Sequence, residues 1–276
     1  MNSCVIVTAM YALNIKYYVR GYPWKFFSWS QRVIDFAKNN SLEVKVIIYT
    51  DHDTWRVFED YMAKKRMKPV DEIEVVFIPL KDVPEVPRPG DLCGLKLGWN
   101  VGKRKHPGAL GDLCQVWCNK FWFMKRASTK FPSDNIVWID CGHKKFGHYL
   151  GRHIPRFYSD FAKNTLYSNR YGRDTIGGPR VSLPRKNKAQ YAPTRDHINP
   201  YMIKHQGCKY PHFIMGGSTG CSSDSIEHIY DTFVKCNNIV AKDSKCFDEE
   251  TVLSYMFIHK SGVEFKRWGT LSNDYP

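Results

Sequence analysis

The stretch "EVKVIIYTDHDTWRVFEDYMAKKRM" (residues 43–67) changes its periodicity once, near Asp51. Residues 43–51 are β-branched and apolar enough for a buried strand that ends on the aspartate. From Thr54 the pattern becomes amphipathic, with basic residues in the last turn, where a helix favours them. Asp53 or Thr54 stands where a helix cap is expected. On either side of it, "CVIVTAM" (4–10) and "IEVVFIPL" (73–80) read as further buried strands, and "WKFFSWSQRVIDFAKNN" (24–40) as an intervening helix. Strand–helix–strand–helix–strand over the first 80 residues argues an α/β fold: a mostly parallel sheet flanked by helices.

Residues 81–108 interrupt this rhythm with four prolines and five glycines, and read as a long irregular loop of the kind that often carries function. A long helix is expected over "LGDLCQVWCNKFWFMKRASTKF" (110–131), with Trp117, Phe121 and Met124 at helical spacing as core. "NIVWID" (135–140) reads as a fourth strand, buried on both sides. Residues 144–208 are poorly patterned, with one helix expected around 155–163. "PHFIMGGSTG" (211–220) reads as a strand entering a glycine turn, followed by a helix over 222–238 capped by Ser222 or Ser223. A last helix over 248–260 and an edge strand over 263–268 complete one domain with an irregular basic insertion.

With 43% hydrophobic and 14% aromatic residues among 276, the chain supports a sizeable core and is not a disordered protein. No window approaches the ~18–20 apolar residues of a membrane span, and the N-terminus lacks the basic region of a signal peptide. A cytoplasmic location is therefore expected. The nine cysteines form no CxxC pair, which favours buried thiols over a zinc or disulfide framework. The net charge of +14 is unevenly spread: residues 141–210 hold 14 Lys and Arg against 3 Asp and Glu, a net of +11. Such a surface suits a polyanionic partner, whether nucleic acid, a phosphorylated glycan or nucleotide phosphates; a solvated lysine-rich loop is the plainer reading.

Ligands of open α/β sheets bind at the carboxyl ends of the strands. Thr8 and Tyr11 after the first strand, Asp51 after the second and Asp140 after the fourth occupy such ends. Each residue alone is explained by turn chemistry, but together they make a coherent site. GxGxxG, GxxxxGK[ST] and G-x-S-x-G are all absent, which disfavours dehydrogenases, P-loop proteins and α/β-hydrolases. Without a glycine cradle, phosphate binding falls to basic side chains and a divalent cation on a hard carboxylate such as Asp140.

"IVTAMY", "NKFWFMKRA…FPSDNIVWIDCG", "IMGGSTGCSSDSIEHIYDTF" and "DEETVLSYMF" follow one another in an order that resembles nucleotide-sugar glycosyltransferases of the GT-A (Rossmann-like) fold. Among these the chain is most similar to the bacterial HtrL/YibB-type glycosyltransferases, with their W-I-D-x-G strand end. The resemblance spans most of the chain apart from 81–108 and 144–205.

It implies a nucleotide-binding part over 1–140, a lid or acceptor platform over 141–210, and an acceptor-side part over 211–276. It also implies transfer from a nucleoside-diphosphate sugar to a glycan or other hydroxylated acceptor, with Mn²⁺ or Mg²⁺. Asp140 matches the DxD position that faces metal or donor ribose, although Gly142 stands where the second Asp is expected. A lone Asp140, completion by His143, and a metal-free enzyme all remain open. The resemblance places Thr8, Ala9, Tyr11 and Asp51 against the nucleotide, Lys120 near the donor, and Gly216 and Gly217 beside the transferred sugar. Asp248 and Glu249 correspond to the acidic pair near the acceptor and would supply the base of an inverting reaction; helix capping explains Asp248 equally well. "HKSGVEFKRW" (259–268) is loosely similar to a metal- and diphosphate-binding signature, which would make His259 a ligand and Lys266 a phosphate contact. A non-catalytic RNA- or polyanion-binding module and a nucleotidyltransferase on a related fold are the competing expectations.

Overall fold

The computed structural model describes residues 2–11, 22–85, 115–142, 154–170, 214–243 and 249–268. His143, Asp248 and most of the two irregular segments lie outside these. The first half follows the expected alternation: β1 (Ser3–Ala9), α1 (Tyr22–Asn39), β2 (Glu43–Thr50), α2 (His52–Lys65) and β3 (Ile73–Phe77). Next come α3 (Lys120–Lys130), β4 (Asn135–Ile139), β5 (Thr165–Arg170), β6 (Ile214–Ser222), α4 (Ile226–Asp243), α5 (Glu249–Ile258) and β7 (Glu264–Arg267).

The strands form one seven-stranded sheet in the order β3-β2-β1-β4-β6-β5-β7. Neighbours pair in parallel from β3 through β4 and again between β5 and β7; β6 runs antiparallel to both its neighbours. The sheet is thus mostly parallel and flanked by helices, as read from the sequence, with β7 on the edge. Because side chains alternate along a strand, each face builds its own core. Val5, Val7, Ile47, Ile136 and Trp138 pack with α3, α4 and α5 on one face. Ile6, Val46, Ile48, Val137 and Ile139 pack with α1 and α2 on the other. Among the described residues no helix is long and apolar enough to cross a membrane.

Four local expectations need correction. Asp51, and not Asp53 or Thr54, caps α2: its Oδ1 accepts the Thr54 amide at 2.7 Å. The long helix over 110–131 is broken at Asn119 (φ −100°, ψ 9°), so that α3 restarts at Lys120. The side chain of Asn119 donates to the Gln115 and Pro84 carbonyls, which ties the break to the preceding loop. The glycine pair 216–217 does not turn the chain but lies inside β6. Finally, residues 154–158 form a short 3₁₀ turn instead of a helix, and β5 follows unforeseen. It carries no run of β-branched residues, and a bulge between Ser168 and Asn169 interrupts its register with β6.

Candidate active site

The parallel strands β1, β2, β3 and β4 all end at one rim of the sheet. β6 runs the other way, so it begins where β4 ends: Ile139 pairs with Ser218, and the Asp140 amide donates to the Gly217 carbonyl at 2.9 Å. The start of α3 and the start of α5 reach the same rim, the first through Lys120 and the second through Glu249 and Glu250.

Lys120 is fully buried, and its ammonium donates to the Gly216 carbonyl at 2.6 Å and to Glu249 Oε1 at 3.2 Å. A lysine opening a helix sits at the positive end of the helix dipole and is doubly disfavoured when buried. Burial pulls its pKa down, but the charges of Glu249, Asp140 and Glu250 and the Glu249 hydrogen bond outweigh it, and the net shift is upward. Lys120 therefore stays charged. Glu249 and Glu250 occupy the first turn of α5, where carboxylates are favoured. Glu250 Oε1 also accepts the Gly216 amide at 2.9 Å.

Gly216 has a steric reason to be glycine. A Cβ there would lie 2.6 Å from Glu249 Oε1 and 2.7 Å from the Lys120 ammonium. The missing side chain is what lets the ion pair lie against the strand. Gly142, where the sequence resemblance leads one to expect a second aspartate, is equally constrained: a Cβ would fall 1.9 Å from the Tyr22 ring. No larger residue fits that position without displacing the Tyr22 ring.

Asp140, one residue beyond β4, is half-buried, and its Oδ1 accepts the Trp138 indole N–H at 2.7 Å. Positions 138 and 140 share a parity, which turns both toward the face of Lys120. Tyr11 lies at the same rim on that face; burial above all, with the Asp51 and Tyr49 charges, pushes its phenol up in pKa. Its buried hydroxyl has no hydrogen-bond partner among the described residues.

The remaining sequence candidates are spread out. Ala9 is on the Lys120 face, whereas Thr8 follows the opposite parity, in line with Ile6, and faces α1 and α2. Asp51 is engaged in its cap. His259 is exposed beyond the far end of α5, its ring tilted against Tyr255 with centroids 4.1 Å apart. At about 1.5 Å per helical residue, it is separated from Glu249 by roughly 15 Å. Lys266 is exposed on the edge strand β7. The structure thus gathers Asp140, Lys120, Glu249, Gly216, Gly217 and Tyr11, and leaves Thr8, His259 and Lys266 apart. Trp138 and Glu250 were missed from sequence. The i, i+2 spacing of "WID" was the signal for the first, and the second of two adjacent glutamates for the other.

Among the described residues no group of three or more His, Cys, Asp or Glu side chains is arranged to hold a metal by itself. Mg²⁺ and Mn²⁺ seldom need such a cage; one or two carboxylates, water and substrate phosphates suffice. Glu249 is engaged with Lys120 and Glu250 with the Gly216 amide, which leaves Asp140 as the rim carboxylate whose chemistry fits a hard divalent ion shared with a ligand.

No family model matches the chain, and no curated protein matches it in sequence. Among solved structures, it is similar to mouse xyloside xylosyltransferase 1 in its apo form, with TM-score 0.48 and 8% identity over 96% of this chain and 84% of that one. It is also similar to core-mannan synthase A of Aspergillus fumigatus in an Mn/GDP form, with TM-score 0.44 and 11% identity over 96% and 72%. A third is 4-diphosphocytidyl-2C-methyl-D-erythritol synthase of Anaerococcus prevotii, with TM-score 0.41 and 10% identity over 96% and 87%. Likenesses of this degree are too loose to argue from, and the fold stands on the strand order itself.

Proposed function

We propose that the chain is a GT-A-like glycosyltransferase, of the HtrL/YibB type that its motifs resemble, which moves a sugar from a nucleoside diphosphate to a hydroxylated acceptor such as a glycan. The observation that carries the reading is Asp140: a half-buried carboxylate at the carboxyl end of a central strand, oriented by an indole and set beside a buried lysine. The reaction forms a bond from the acceptor oxygen to the anomeric carbon as the bond from that carbon to the diphosphate breaks. The developing negative charge on the leaving group has to be met in place.

Asp140 would hold the Mn²⁺ or Mg²⁺, and the ion would supply positive charge to the leaving diphosphate. Tyr11 contributes a buried hydroxyl at the same rim, suited to the nucleotide. Gly217 ties β6 to Asp140 through its carbonyl, and Gly216 lets the Lys120–Glu249 pair lie against the same strand. We assign Lys120 to fixing this end of β6 and offsetting the carboxylates. Glu249 is its counter-ion, so in an inverting reaction the neighbouring Glu250 is the better placed carboxylate for the acceptor's proton.

The test is a panel of nucleoside-diphosphate sugars assayed with Mn²⁺ for transfer or slow hydrolysis. One or more donors should be consumed, and Asp140→Ala should abolish the turnover while unfolding as cooperatively as the wild type. A fully active Asp140→Ala protein would contradict the assignment.

A further inference from the structure

Trp138 touches both charges of the rim. Its ring lies beneath the Lys120 ammonium, 5.7 Å from the centroid, and its N–H donates to Asp140 Oδ1 at 2.7 Å. The aromatic face is electron-rich and attracts the cation; the polar edge N–H attracts the anion. The indole is almost fully buried and stacks on Phe123 with ring centroids 6.1 Å apart, and Phe123 packs in turn on Tyr49 at 4.9 Å. It has no freedom to turn away. Asp140, by contrast, sits in the turn after β4, where its side chain would otherwise choose its own direction.

Without a competing hydrogen bond, the strongest attraction on Asp140 is the buried ammonium next to it, whose pKa its charge already raises. We propose that Trp138 is the positioning residue of the site: its N–H holds Asp140 off Lys120 and aims the second carboxylate oxygen, Oδ2, at a divalent cation bound with a diphosphate. The inference rests on the metal role given to Asp140 above, and it adds the reason that a single aspartate is sufficiently oriented to serve. Fixing Oδ1 fixes Oδ2, so the cost of ordering the ligand is met by the fold before any ion arrives. Phenylalanine at 138 keeps an aromatic ring but withdraws the donor. Asp140 then turns to Lys120, and the cation loses its ligand.

The experiment counts bound Mn²⁺ by electron paramagnetic resonance, using pyrophosphate as the diphosphate probe, in the wild type, Trp138→Phe and Asp140→Asn. A charged hydrogen bond of this kind is worth a factor of ~10–100 in affinity. Both variants should therefore bind Mn²⁺–pyrophosphate at least about tenfold more weakly than the wild type. In parallel, ¹⁵N-labelled indole resonances are followed with Mg²⁺ and pyrophosphate. The Trp138 N–H signal, assigned through its intraresidue correlations, should shift in Asp140→Asn and shift in the wild type when the probe binds.

Weak binding by Asp140→Asn with wild-type affinity in Trp138→Phe overturns the positioning role and leaves the metal role standing. Unchanged binding in Asp140→Asn, or none in the wild type, overturns the metal role beneath it. Should Trp138→Phe fail to fold, the resonance decides: a Trp138 N–H signal that ignores Asp140→Asn rules the contact out.

Discussion

Lys120 is the residue on which the site turns. Its ammonium and the Glu249 carboxylate are sealed together, with side-chain exposures of 0% and 6%. Removing one partner of such a pair strands the other, which typically costs about 3–5 kcal/mol, whereas replacing both by neutral groups costs far less. Lys120→Met should therefore lose stability in that range in urea titrations, and Lys120→Met with Glu249→Gln should recover most of it. A single variant within about 1 kcal/mol of the wild type would mean that the pair is not buried as described. The sign of the pH dependence follows from the upward shift of Lys120. Its contribution is complete below the ordinary lysine value of 10.5 and is lost only as the pH climbs through the higher folded value. From neutrality to pH 10 the difference between wild type and Lys120→Met should stay flat.

At the scale of the element, two predictions separate local structure from chemistry. Asp51→Ala removes the cap of α2 and should cost about 1 kcal/mol, while Asp51→Ser retains a capping oxygen and should cost a few tenths. Equal losses in denaturant melts would contradict the cap. Gly216→Ala forces a methyl group into β6 against Glu249 and Lys120, both held in a buried pair. Overpacking of this kind costs about 1–3 kcal/mol, read as a lowered urea midpoint, and a neutral substitution would show that the strand yields. The first five elements were legible because each apolar run is bounded by a turn or cap and long enough to have one period. β5 was not, because "TLYSNR" has neither alternation nor a β-branched run and is held by its neighbours. The glycine pair misled for a related reason: glycine signals a turn and a close approach equally well, and only the packing of Lys120 and Glu249 against residue 216 decides between them. Asp140 and its rim position could be read from "NIVWID" alone. The Lys120–Glu249 contact joins residues 129 positions apart, and no local pattern announces it.

Across the whole molecule the two cores bury acids that the unfolded chain exposes. Burial raises the thiols of Cys4, Cys141 and Cys221, with Cys236 pushed up to about 11, and the phenols of Tyr11, Tyr49 and Tyr158. The unfolded chain releases these protons near the ordinary values of 9.0 and 10.0, and the folded chain retains them. Stability is thus complete below pH 9 and should fall steadily above it, visible as a declining melting temperature between pH 9 and pH 11 in the presence of reductant. A flat profile would contradict the buried thiols. The described charges of the rim, Asp140, Glu249 and Glu250 around Lys120, are mostly acidic, an arrangement suited to a ligand that arrives with a divalent cation. The most direct test is thermal unfolding of the wild type and Asp140→Ala with nucleoside diphosphates, each with and without Mn²⁺. At a hundred times its Kd a ligand adds about 2.7 kcal/mol, or several degrees for a chain of this size. That shift is expected for the wild type only when Mn²⁺ is present, and should be lost in Asp140→Ala; an unchanged shift in Asp140→Ala, or none with any nucleotide, would overturn the role of Asp140 as the metal-bearing carboxylate of a nucleotide site.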